Sequence, residues 1–572
     1  MKRKLVRALC MWLVMSMVLL SVGYAGGISD PAGSDTPLEP LTLTIFGGGT
    51  DPGTFDEDPV HQFIREKLGV DIVQIYTAND TDTQLTLWLA AGDYPDAIAQ
   101  KLGTGTQNYV TGGHALDLTE WYEKYAPDLY AKYLENPRIF HFDYPGYNDR
   151  IYYVPGQLGS SEYPNIEPTV GVRYDIWKMT ADSEGNLVKP KDLDEFYDLA
   201  KAMVEAQPEY DGKKCYAFSG WFGSGWGGQW LVWSLTRFAG SYQWTGASVE
   251  AEDWQREYCF DSDAWMWAMR FLNRAYRDGI ADPEAVTMSQ EDYNKKLAQG
   301  LIYTTPYSGF WLDGVANTAR AAAGQPEQKI FPYSWMTYPE SSGISGQSVT
   351  GAYDPTGIIK TMFTKNCEDA EEIFKRLAWL STEEGVALQG MGLEGVHWDY
   401  DEDGFRKPKD EIIQQFLEDP NFIHKTGIDK WNVFGNYFSG CDSKGDAYRI
   451  TENKYVIATQ EGPLDIEYKQ FLDMNMNLSI EANAARAGTV TDEVEWIVDL
   501  GVNGTDLEDI INQLGSLESE YIGKLYLAKD DAEFDRLIDE WRSRCEMIDY
   551  MDYYNHINPI IKEAYQSYKA GK

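Results

Sequence analysis

The sequence predicts an α/β protein with two lobes. The chain has 572 residues, which is more than one compact hydrophobic core usually serves. Strand-like apolar segments alternate with amphipathic helical segments, and this pattern starts near residue 41 and again near residue 169. Such alternation is typical of mostly parallel sheets covered by helices. The apolar fraction of 43% is that of a globular protein.

The first 25 residues have the pattern of a secretory signal peptide. Four basic residues lie among the first seven positions, residues 8–22 form an apolar run, and Gly23 and Ala25 offer the small side chains that a signal peptidase requires. The run is shorter than the ~20 residues of a membrane-spanning helix, so an uncleaved anchor is the less favoured alternative. Residues 26–40 are rich in Gly, Pro, Ser and Asp and are predicted to form a flexible leader. We therefore expect an exported protein, extracellular or associated with the cell surface.

The composition excludes several classes of function. A formal net charge of −41 leaves no basic stripe for nucleic acid. The cysteines that remain after the signal show no CxxC spacing, and the six histidines form no HExxH motif. We therefore expect no metal centre, no cofactor and no nucleic-acid partner. Because the remaining cysteines are odd in number, at least one is expected to be free or paired between chains; they are Cys215, Cys259, Cys367, Cys441 and Cys545.

The first lobe is predicted to begin with an alternating strand over residues 41–46, followed by a glycine-rich turn. A helix then starts at Asp58, a typical N-cap residue, with Pro59 in the first helical position. The other elements predicted here are the rest of this helix to residue 68, a strand over 70–76, a helix over 82–91 that ends at Gly92, and a short strand from residue 98.

The second lobe is predicted to begin with a strand over residues 169–174. Its further elements are helices over 192–206, 227–238, 261–278 and 369–380, a strand over 301–304, and a mostly helical region over 492–568. We expect residues 41–168 and 305–350 to form the first lobe, and residues 169–304 and 351–572 to form the second. Small ligands usually bind in a cleft between such lobes.

A high density of tryptophan marks residues 219–244, where five indole rings lie among glycines. An indole offers an apolar face to sugar C–H groups and keeps a polar N–H tip, so this segment suits a carbohydrate. Trp221 and Trp226, which lie between glycines, are the candidates for ligand contact, with burial in the core as the alternative. Trp230 and Trp233 lie in an amphipathic run and are predicted to belong to the core.

Six segments carry a family resemblance. They are the first strand with its glycine turn (42–50), LAAGDYPDAI (89–98), DRIYYVP (149–155), VRYDIW with KPKDLDEFYDLAKAM (172–177 and 189–203), LAQGLIYTTPYSGFW (297–311) and GLEGVHWDYDEDGF (392–405). In this order they resemble segments of the extracellular solute-binding proteins of ABC importers, family 1, with its LplA-like and alginate-binding-protein-like members. The resemblance spans roughly residues 41–405.

The resemblance implies a periplasmic-binding-protein-like fold of type II. In that fold each lobe has a mostly parallel sheet flanked by helices, and the lobes close about a hinge on a ligand in the cleft between them. It also implies a binding protein without enzymatic activity, expected here to be a monomer, that delivers a carbohydrate, usually an oligosaccharide, to ABC permease subunits in the membrane. Tyr24 stands where lipid-anchored members carry a cysteine, so the resemblance does not extend to a lipid anchor.

The resemblance also indicates ligand-binding residues in the first half of the chain. Gly48, Gly49 and Thr50 follow the first strand and are expected to face the cleft, with an ordinary tight turn as the alternative. Asp93 and Tyr94 lie in the GDYPD turn, where a carboxylate has the chemistry to accept two sugar hydroxyls. A helix C-cap is the alternative role for that turn.

Further candidates follow along the chain. Arg173 is expected either to donate two hydrogen bonds to a ligand or to pair with Asp175. Tyr307 and Trp311 follow a strand and are expected to stack on sugar rings, with burial in the core as the alternative. The hairpin segment adds two more candidate residues, for which a structural turn is the alternative: Glu394 and Trp398.

Two motifs favour other functions only weakly. Residues 223–228 match G-x-G-x-x-G, but no clear strand with a terminal acid follows, and Trp226 stands inside the loop. The run DYDEDG at residues 399–404 mimics a calcium loop, but Pro408 interrupts it. The alternative functions that stay open are a secreted glycoside-active enzyme, which needs two carboxylates about 5–10 Å apart, and a peptide-binding relative.

Overall fold

The fold comes from a computed structural model. It describes residues 38–47, 51–101, 104–134, 150–155, 165–166, 169–224, 227–239, 256–308, 312–344, 349–353, 359–430, 441–442, 444–487, 489–492, 502 and 505–571. The described strands are β1 (Leu41–Phe46), β2 (Val70–Ile75), β3 (Ala97–Lys101), β4 (Val154–Pro155), β5 (Asn165–Ile166), β6 (Thr169–Arg173), β7 (Glu209–Tyr210), β8 (Lys213–Lys214), β9 (Thr304–Ser308), β10 (Ile330–Tyr333), β11 (Val349–Tyr353), β12 (Ile359–Phe363), β13 (Trp398–Tyr400), β14 (Arg406–Pro408) and β15 (Thr489–Asp492).

The described helices are α1 (Pro59–Phe63), α2 (Thr81–Ala91), α3 (Thr104–Thr111), α4 (Thr119–Tyr125), α5 (Pro127–Leu134), α6 (Tyr174–Lys178), α7 (Leu193–Ala206), α8 (Gly227–Thr236), α9 (Asp263–Arg277), α10 (Gln290–Ala298), α11 (Leu312–Ala322), α12 (Ala370–Leu377), α13 (Glu383–Met391), α14 (Asp410–Glu418), α15 (Phe422–Thr426), α16 (Lys454–Gln460), α17 (Pro463–Phe471), α18 (Ile480–Ala485), α19 (Asp506–Tyr526), α20 (Asp531–Glu546) and α21 (Tyr550–Gly571). Within the described ranges, none of them is both long and apolar enough to cross a bilayer.

Local sequence signals account for several element boundaries. The carboxylate of Asp58 accepts a hydrogen bond of 2.7 Å from the amide of His61, and Pro59 opens α1 as predicted. Gly92 ends α2 with a φ of 71°, a conformation that glycine adopts without a Cβ penalty. The hydroxyl of Ser262 caps α9, which fills nearly all of the helix predicted over 261–278.

The first lobe is built on a five-stranded sheet with the order β2–β1–β3–β12–β4. β1 runs parallel to β2 and β3, and β12 runs antiparallel to both β3 and β4. Four strands therefore share one direction, and β12 is the reversed strand. The core of this lobe lies between the sheet and helices that include α1, α4 and α12.

The sheet of the second lobe has the same order of directions. β6 lies between β9 and β10 and runs antiparallel to both. On the other side of β9, Tyr216 bridges Ile302 in parallel and Phe218 bridges Ala281 in parallel. The sheet therefore extends from residue 281 through residues 216–218 to β9, β6 and β10, with β6 as its reversed strand. The predicted mostly parallel sheets are confirmed in both lobes.

Two of the passages of the chain between the lobes run through a third, smaller sheet. β5 lies between β4 and β6 along the chain, and β11 lies between β10 and β12. β11 pairs antiparallel with β5 and parallel with β15. Both passages join the carboxyl end of a strand in one lobe to the start of the reversed strand in the other. We call β5, β11 and β15 the hinge sheet, and the carboxyl edges of the two large sheets meet at it.

The lobe boundaries differ from those expected. Residues 305–350 were assigned to the first lobe, yet β10 pairs with β6 in the second. Residues 351–572 were assigned to the second lobe, yet β12 pairs with β3 and α12 packs in the core of the first. The reason is that a strand pattern predicts a strand without showing which sheet it joins. The helical region from residue 505 onward does pack on the core of the second lobe, as expected.

A third cluster of buried apolar residues joins the first lobe beside α1. It contains the β13–β14 hairpin, α14 and α15. Lys430 places its Nζ atom 2.9 Å from the carboxylate of the buried residue Asp58. A Cβ at Gly427, where φ is 79°, would collide with that same carboxylate, so the contact requires glycine. This cluster therefore contacts the N-terminus of α1.

Candidate functional site

The carboxyl edges of the two large sheets form the candidate binding site. In open sheets of parallel strands, ligands bind outside the carboxyl ends of the strands, where loops and helix N-termini converge. In the first lobe these ends lead into residues 51–58 and 76–80. In the second lobe they lead into residues 219–224, 282–288 and 334–336. The hinge sheet brings both edges to the same region of the molecule.

The edge of the first lobe presents an aromatic ring beside polar groups. Tyr76 follows β2, is half-buried, and donates a hydrogen bond of 2.5 Å to the side-chain oxygen of Gln74. Burial, followed by the negative charge of Asp51, raises the pKa of Tyr76. The amide oxygen of Gln84 accepts hydrogen bonds from Thr77 at 2.9 Å and from Asn79 at 2.7 Å. An apolar ring face beside a carboxylate and an amide suits a polyhydroxyl ligand.

Sequence reasoning missed this group. The signal in the sequence is an aromatic residue and a turn of small polar residues directly after a buried parallel strand. Residues 48–50 hold the equivalent position after β1. Asp51 lies in an acidic stretch of a strongly acidic chain, so its charge does not distinguish it in the sequence.

The edge of the second lobe is supported by an apolar cluster. We call it the Trp221 cluster; its buried members are Trp221, Met288, Tyr293, Leu297, Ile302, Leu312, Ala316 and Ile330, with Trp230 and Tyr216 partly buried against them. The ring of Trp221 lies 4.9 Å from that of Tyr293 and meets that of Trp230 edge to face at 5.5 Å. The cluster fills the space between the sheet and α10 and α11.

The placement of Trp221 differs from the expected ligand contact. Its side chain is 3% exposed, so it has no open face for a sugar, and the alternative of core burial fits. A Cβ at Gly227 would approach the Trp221 ring to 2.5 Å. This glycine therefore serves close packing of the indole rather than access of backbone to a ligand. Trp233, predicted to be core, is 2% exposed.

The acidic groups at this edge are largely satisfied by one lysine. Asp282 is fully buried and lies 2.7 Å from Nζ of Lys296, and Glu284 lies 2.7 Å from the same nitrogen. Burial lowers the pKa of Lys296, but hydrogen bonds to both carboxylates outweigh it and the net shift is upward. The lysine is therefore held charged between two carboxylates and offers little charge to a ligand.

Several sequence-predicted site residues fall outside the described part of the chain: Gly48, Gly49, Thr50, Trp226 and Trp311. In sequence, the first three follow the carboxyl end of β1, and Trp311 follows that of β9. The backbone of Tyr307 belongs to β9, and its side chain is not described.

Asp93 and Tyr94 lie at the opposite end of the first-lobe sheet. They precede β3 and so stand at its amino end. Tyr94 is 8% exposed, and its hydroxyl forms a hydrogen bond of 2.9 Å with Nδ1 of His114. The backbone oxygen of Tyr94 accepts a hydrogen bond of 2.9 Å from Asn366. The turn therefore closes α2 and joins it to β3, which is the alternative role, and it does not reach the carboxyl edge.

Arg173 also lies away from the carboxyl edge. It ends the reversed strand β6 and so stands at the amino end of the neighbouring strands. The guanidinium is 2% exposed and donates two hydrogen bonds to Asp175, at 2.8 and 2.7 Å, and another of 3.3 Å to the backbone oxygen of Gly300. Pairing with Asp175, the alternative, is what the structure shows. A ligand between the lobes does not reach this guanidinium.

The candidate residues in and before the β13–β14 hairpin differ in their exposure to solvent. Trp398 is 5% exposed and donates a hydrogen bond of 2.9 Å to the backbone oxygen of Gly392, so its ring belongs to the core of the third cluster. His397 accepts a hydrogen bond of 2.8 Å at Nδ1 from the amide of Leu393. Burial lowers the pKa of His397 to about 4. Of these three residues, Glu394 is the exposed one.

The two competing motifs have structural roles. In the acidic turn, one carboxylate oxygen of Asp401 accepts hydrogen bonds from the amides of Asp403 and Phe405, and Lys454 lies 3.3 Å from the other. In the glycine loop, a Cβ at Gly223 would lie 2.6 Å from the backbone oxygen of Thr287, so that backbone packs against protein. Over the described ranges, no group of three or more His, Cys, Asp or Glu residues is arranged to hold a metal ion.

Comparison with known proteins gives structural likenesses at low sequence identity. No protein-family model matches the chain, and no curated protein matches it in sequence. The chain is similar to an HMO-binding, ABC-transporter-associated solute-binding protein of Bifidobacterium longum infantis, with a TM-score of 0.60, 13% identity, and coverage of 92% of this chain and 99% of that one.

Two further solved structures are similar over comparable lengths. The S. pneumoniae ABC-transporter substrate-binding protein FusA, as an EF-hand mutant in complex with fructo-nystose, gives a TM-score of 0.59 at 16% identity and covers 93% and 100% of the two chains. The alginate-binding protein AlgQ2, without calcium ion, gives a TM-score of 0.55 at 16% identity, with coverage of 91% of this chain and 98% of that one. These likenesses confirm the predicted two-lobed fold of a periplasmic-binding-protein-like molecule.

Proposed function

We propose that this protein is the extracytoplasmic substrate-binding component of an ABC importer and that it binds a carbohydrate, an oligosaccharide. The observation that carries the proposal is the pair of sheets with one strand order, whose carboxyl edges meet at the hinge sheet and bear aromatic side chains. The solved structures with this fold are named for binding HMO, fructo-nystose and alginate, which supports the choice of ligand.

The proposed mechanism is closure of the lobes on the ligand. Each lobe contributes one side of the site, and in the hinge sheet β5 pairs with β11, which lie in two segments that connect the lobes. A ligand that contacts both lobes binds the closed arrangement more tightly than the open one and so shifts the population towards it. Release to the permease then requires only that the lobes separate, and the ligand leaves unaltered.

We propose ligand contacts from the segments that follow strand ends. Gly48, Gly49 and Thr50 follow β1, and Trp311 follows β9 after Tyr307. Trp226 follows the strand at residues 216–218. To these we add Glu394, an exposed carboxylate that precedes the β13–β14 hairpin and forms a bridge with Trp398, a residue of the third cluster. Glycines allow close backbone approach to hydroxyl groups, and tyrosine and tryptophan rings stack on sugars.

The proposal assigns no chemical reaction to the protein. A glycoside hydrolase needs a carboxyl group held protonated near a second carboxylate across the scissile bond. At the described carboxyl edges, Asp282 and Glu284 are instead bound to Lys296. We further propose that the chain is exported by its signal segment, acts as a monomer outside the cytoplasm, and meets the permease subunits of an importer there.

The test combines ligand binding with a search for product. The purified mature chain is heated with a panel of neutral and acidic oligosaccharides, and each mixture is analysed chromatographically after long incubation. A ligand present at 100 times its Kd is expected to raise the free energy of unfolding by about 2.7 kcal/mol, seen as a higher Tm. The sugar must be recovered intact. Cleaved sugar would contradict the binding function, and stabilisation by peptides alone would contradict the choice of ligand.

A further inference from the structure

One tryptophan at the second-lobe edge has a firmly supported ring that is only half-buried. Trp230 lies in the first turn of α8. Its ring stands edge to face on Trp221, with an interplanar angle of 86°. Trp221 in turn rests on Tyr293, which is fully buried. Trp230 therefore packs on one buried ring, which is itself backed by a second, and its partial exposure differs from the core position that the sequence predicts.

The backbone that carries Trp230 is also fixed. Gly227 opens α8, and its lack of a Cβ allows Trp221 to pack directly against the helix start. The next residue but one, Gln229, is 2% exposed and donates a hydrogen bond of 2.9 Å to the hydroxyl of Ser519 on α19. The first turn of α8 is thus held both by the Trp221 cluster and by the C-terminal helices. A rigid ring loses little entropy when a ligand stacks on it.

The same contacts place Trp230 at the carboxyl edge. Trp221 lies three residues beyond Phe218, where the strand at residues 216–218 ends. The amide of Phe222 donates a hydrogen bond of 2.9 Å to Ala285, and that of Gly223 donates one of 3.0 Å to Met288. The loops that follow two neighbouring strands are therefore joined to each other at this edge. Trp230 packs on this joined surface.

The charges around this position favour an uncharged ligand. Asp282 and Glu284 share Lys296, so this group carries a net charge of about −1 when all three are ionised. Asp313, at the start of α11, is 7% exposed and is a third carboxylate, which accepts a hydrogen bond of 2.6 Å from Thr305. A uronate brought to this edge meets like charge, whereas a neutral sugar does not.

We infer that Trp230 supplies the stacking surface of the second lobe and that the ring it receives is an uncharged sugar unit of an oligosaccharide. The inference rests on the proposed carbohydrate-binding function and assigns a residue and a ligand class to it. The indole contributes an apolar face for the C–H groups of the sugar, and its buried neighbours fix the angle of that face.

The experiment first identifies a ligand and then tests the residue. Malto-, cello-, manno- and fructo-oligosaccharides and an oligogalacturonate of matched length are screened by thermal shift and measured by titration calorimetry at low and physiological salt. The best neutral sugar is then titrated into the wild type, Trp230→Ala, Trp230→Phe and Trp121→Ala. Trp121 is the matched control: it is also half-buried, and it packs at 5.6 Å on Phe374 in the helical layer of the first lobe.

A neutral oligosaccharide is expected to bind the wild type, and the oligogalacturonate is not. Trp230→Ala is expected to weaken binding by about tenfold or more. Trp230→Phe retains a flat ring and is expected to recover most of that loss. Trp121→Ala is expected to bind as the wild type does, although its Tm falls. A merely structural role for Trp230 would give the opposite pattern, with a lower Tm and an unchanged Kd.

The negative outcomes are distinguishable. Wild-type affinity in Trp230→Ala, in protein that melts cooperatively, overturns the assignment of the residue and leaves the proposed function standing. Preferential binding of the oligogalacturonate overturns the ligand class alone. If no sugar in the panel stabilises the wild type while peptides do, the proposed carbohydrate-binding function fails, and the inference fails with it.

Discussion

Single buried ionisable residues give this protein opposing responses to pH. His397 precedes Trp398 of the third cluster and is 3% exposed, whereas Glu518 on α19 is 6% exposed in the second lobe. Burial disfavours the charged form of each, so the pKa of the histidine falls to about 4 and that of the glutamate rises to about 7. Both side chains are therefore neutral in the folded protein over part of the range in which the unfolded chain carries their charge.

For His397 the loss of stability occurs on acidification. The unfolded histidine takes up a proton near pH 6.5 and the folded one only near pH 4, so the free energy of unfolding decreases as the pH falls through that window. The difference amounts to about 3 kcal/mol. Urea denaturation at pH 7 and pH 4.5 is expected to show a smaller loss in His397→Gln than in the wild type. The same change at the exposed His556 is the control and is expected to leave the wild-type loss intact.

For Glu518 the loss of stability occurs as the pH rises. The unfolded carboxyl group releases its proton near pH 4.5 and the folded one near pH 7, so the free energy of unfolding decreases between these values, by about 3 kcal/mol. Glu518→Gln is expected to exceed the wild type in Tm at pH 8 and to match it at pH 4.5. Glu520→Gln provides the comparison on the same helix, because Glu520 is ion-paired with Lys524 and Arg544. A gain at pH 8 in that variant as well would contradict burial as the cause.

At the scale of elements, local chemistry predicted strands and helices far better than it predicted their partners. The cap at Asp58, the end of α2 at Gly92 and the limits of β6 follow from residues within a few positions of each boundary. The pairing of β12 with β3 depends on residues more than 250 positions apart, and no local pattern carries that information. The same holds for the candidate site. The sequence predicts where strands end, but whether an indole at a strand end is buried, as Trp221 is, depends on residues distant in sequence, such as Tyr293.

The end of β6 gives a test of one corrected residue. Arg173→Lys keeps the charge but loses the two-pronged pairing with Asp175 and the bond to Gly300. We expect a loss of stability of about 1.5–3 kcal/mol, the contribution of hydrogen bonds that involve a charged group. Asp175→Asn is expected to destabilise the protein for the same reason.

Ligand affinity separates this structural role from the one the sequence had suggested. Because Arg173 stands at the amino end of the neighbouring strands, the Kd of the variant that remains folded is expected to equal that of the wild type, measured by calorimetry well below its Tm. A large rise in Kd with unchanged Tm would return Arg173 to the binding site.

At the scale of the whole molecule, the strand exchange between lobes determines where movement is possible. Each large sheet is completed by a reversed strand that enters from the other lobe, β12 in the first and β6 in the second. The segments before these strands pair with each other in the hinge sheet. Each lobe has its own buried core, so a change in their arrangement need not disturb either core.

Closure of the lobes predicts a change in dimensions. Small-angle scattering of the protein with a saturating oligosaccharide is expected to show a smaller radius of gyration than that of the unliganded protein, because the ligand stabilises the closed arrangement. The same measurement with a sugar that gives no thermal shift is the control. An unchanged radius in the presence of a sugar that raises Tm would show that binding involves one lobe alone.

The strand exchange also bears on how the protein is made. During synthesis the chain emerges N-terminus first. The first-lobe sheet cannot be completed until β12, at residues 359–363, has been made, because β12 lies between β3 and β4 in that sheet. Contacts so distant in sequence form slowly, because a long loop has to close before they can be made. The nascent polypeptide therefore cannot complete its first lobe early in synthesis, and this delay would leave time for the export that we propose.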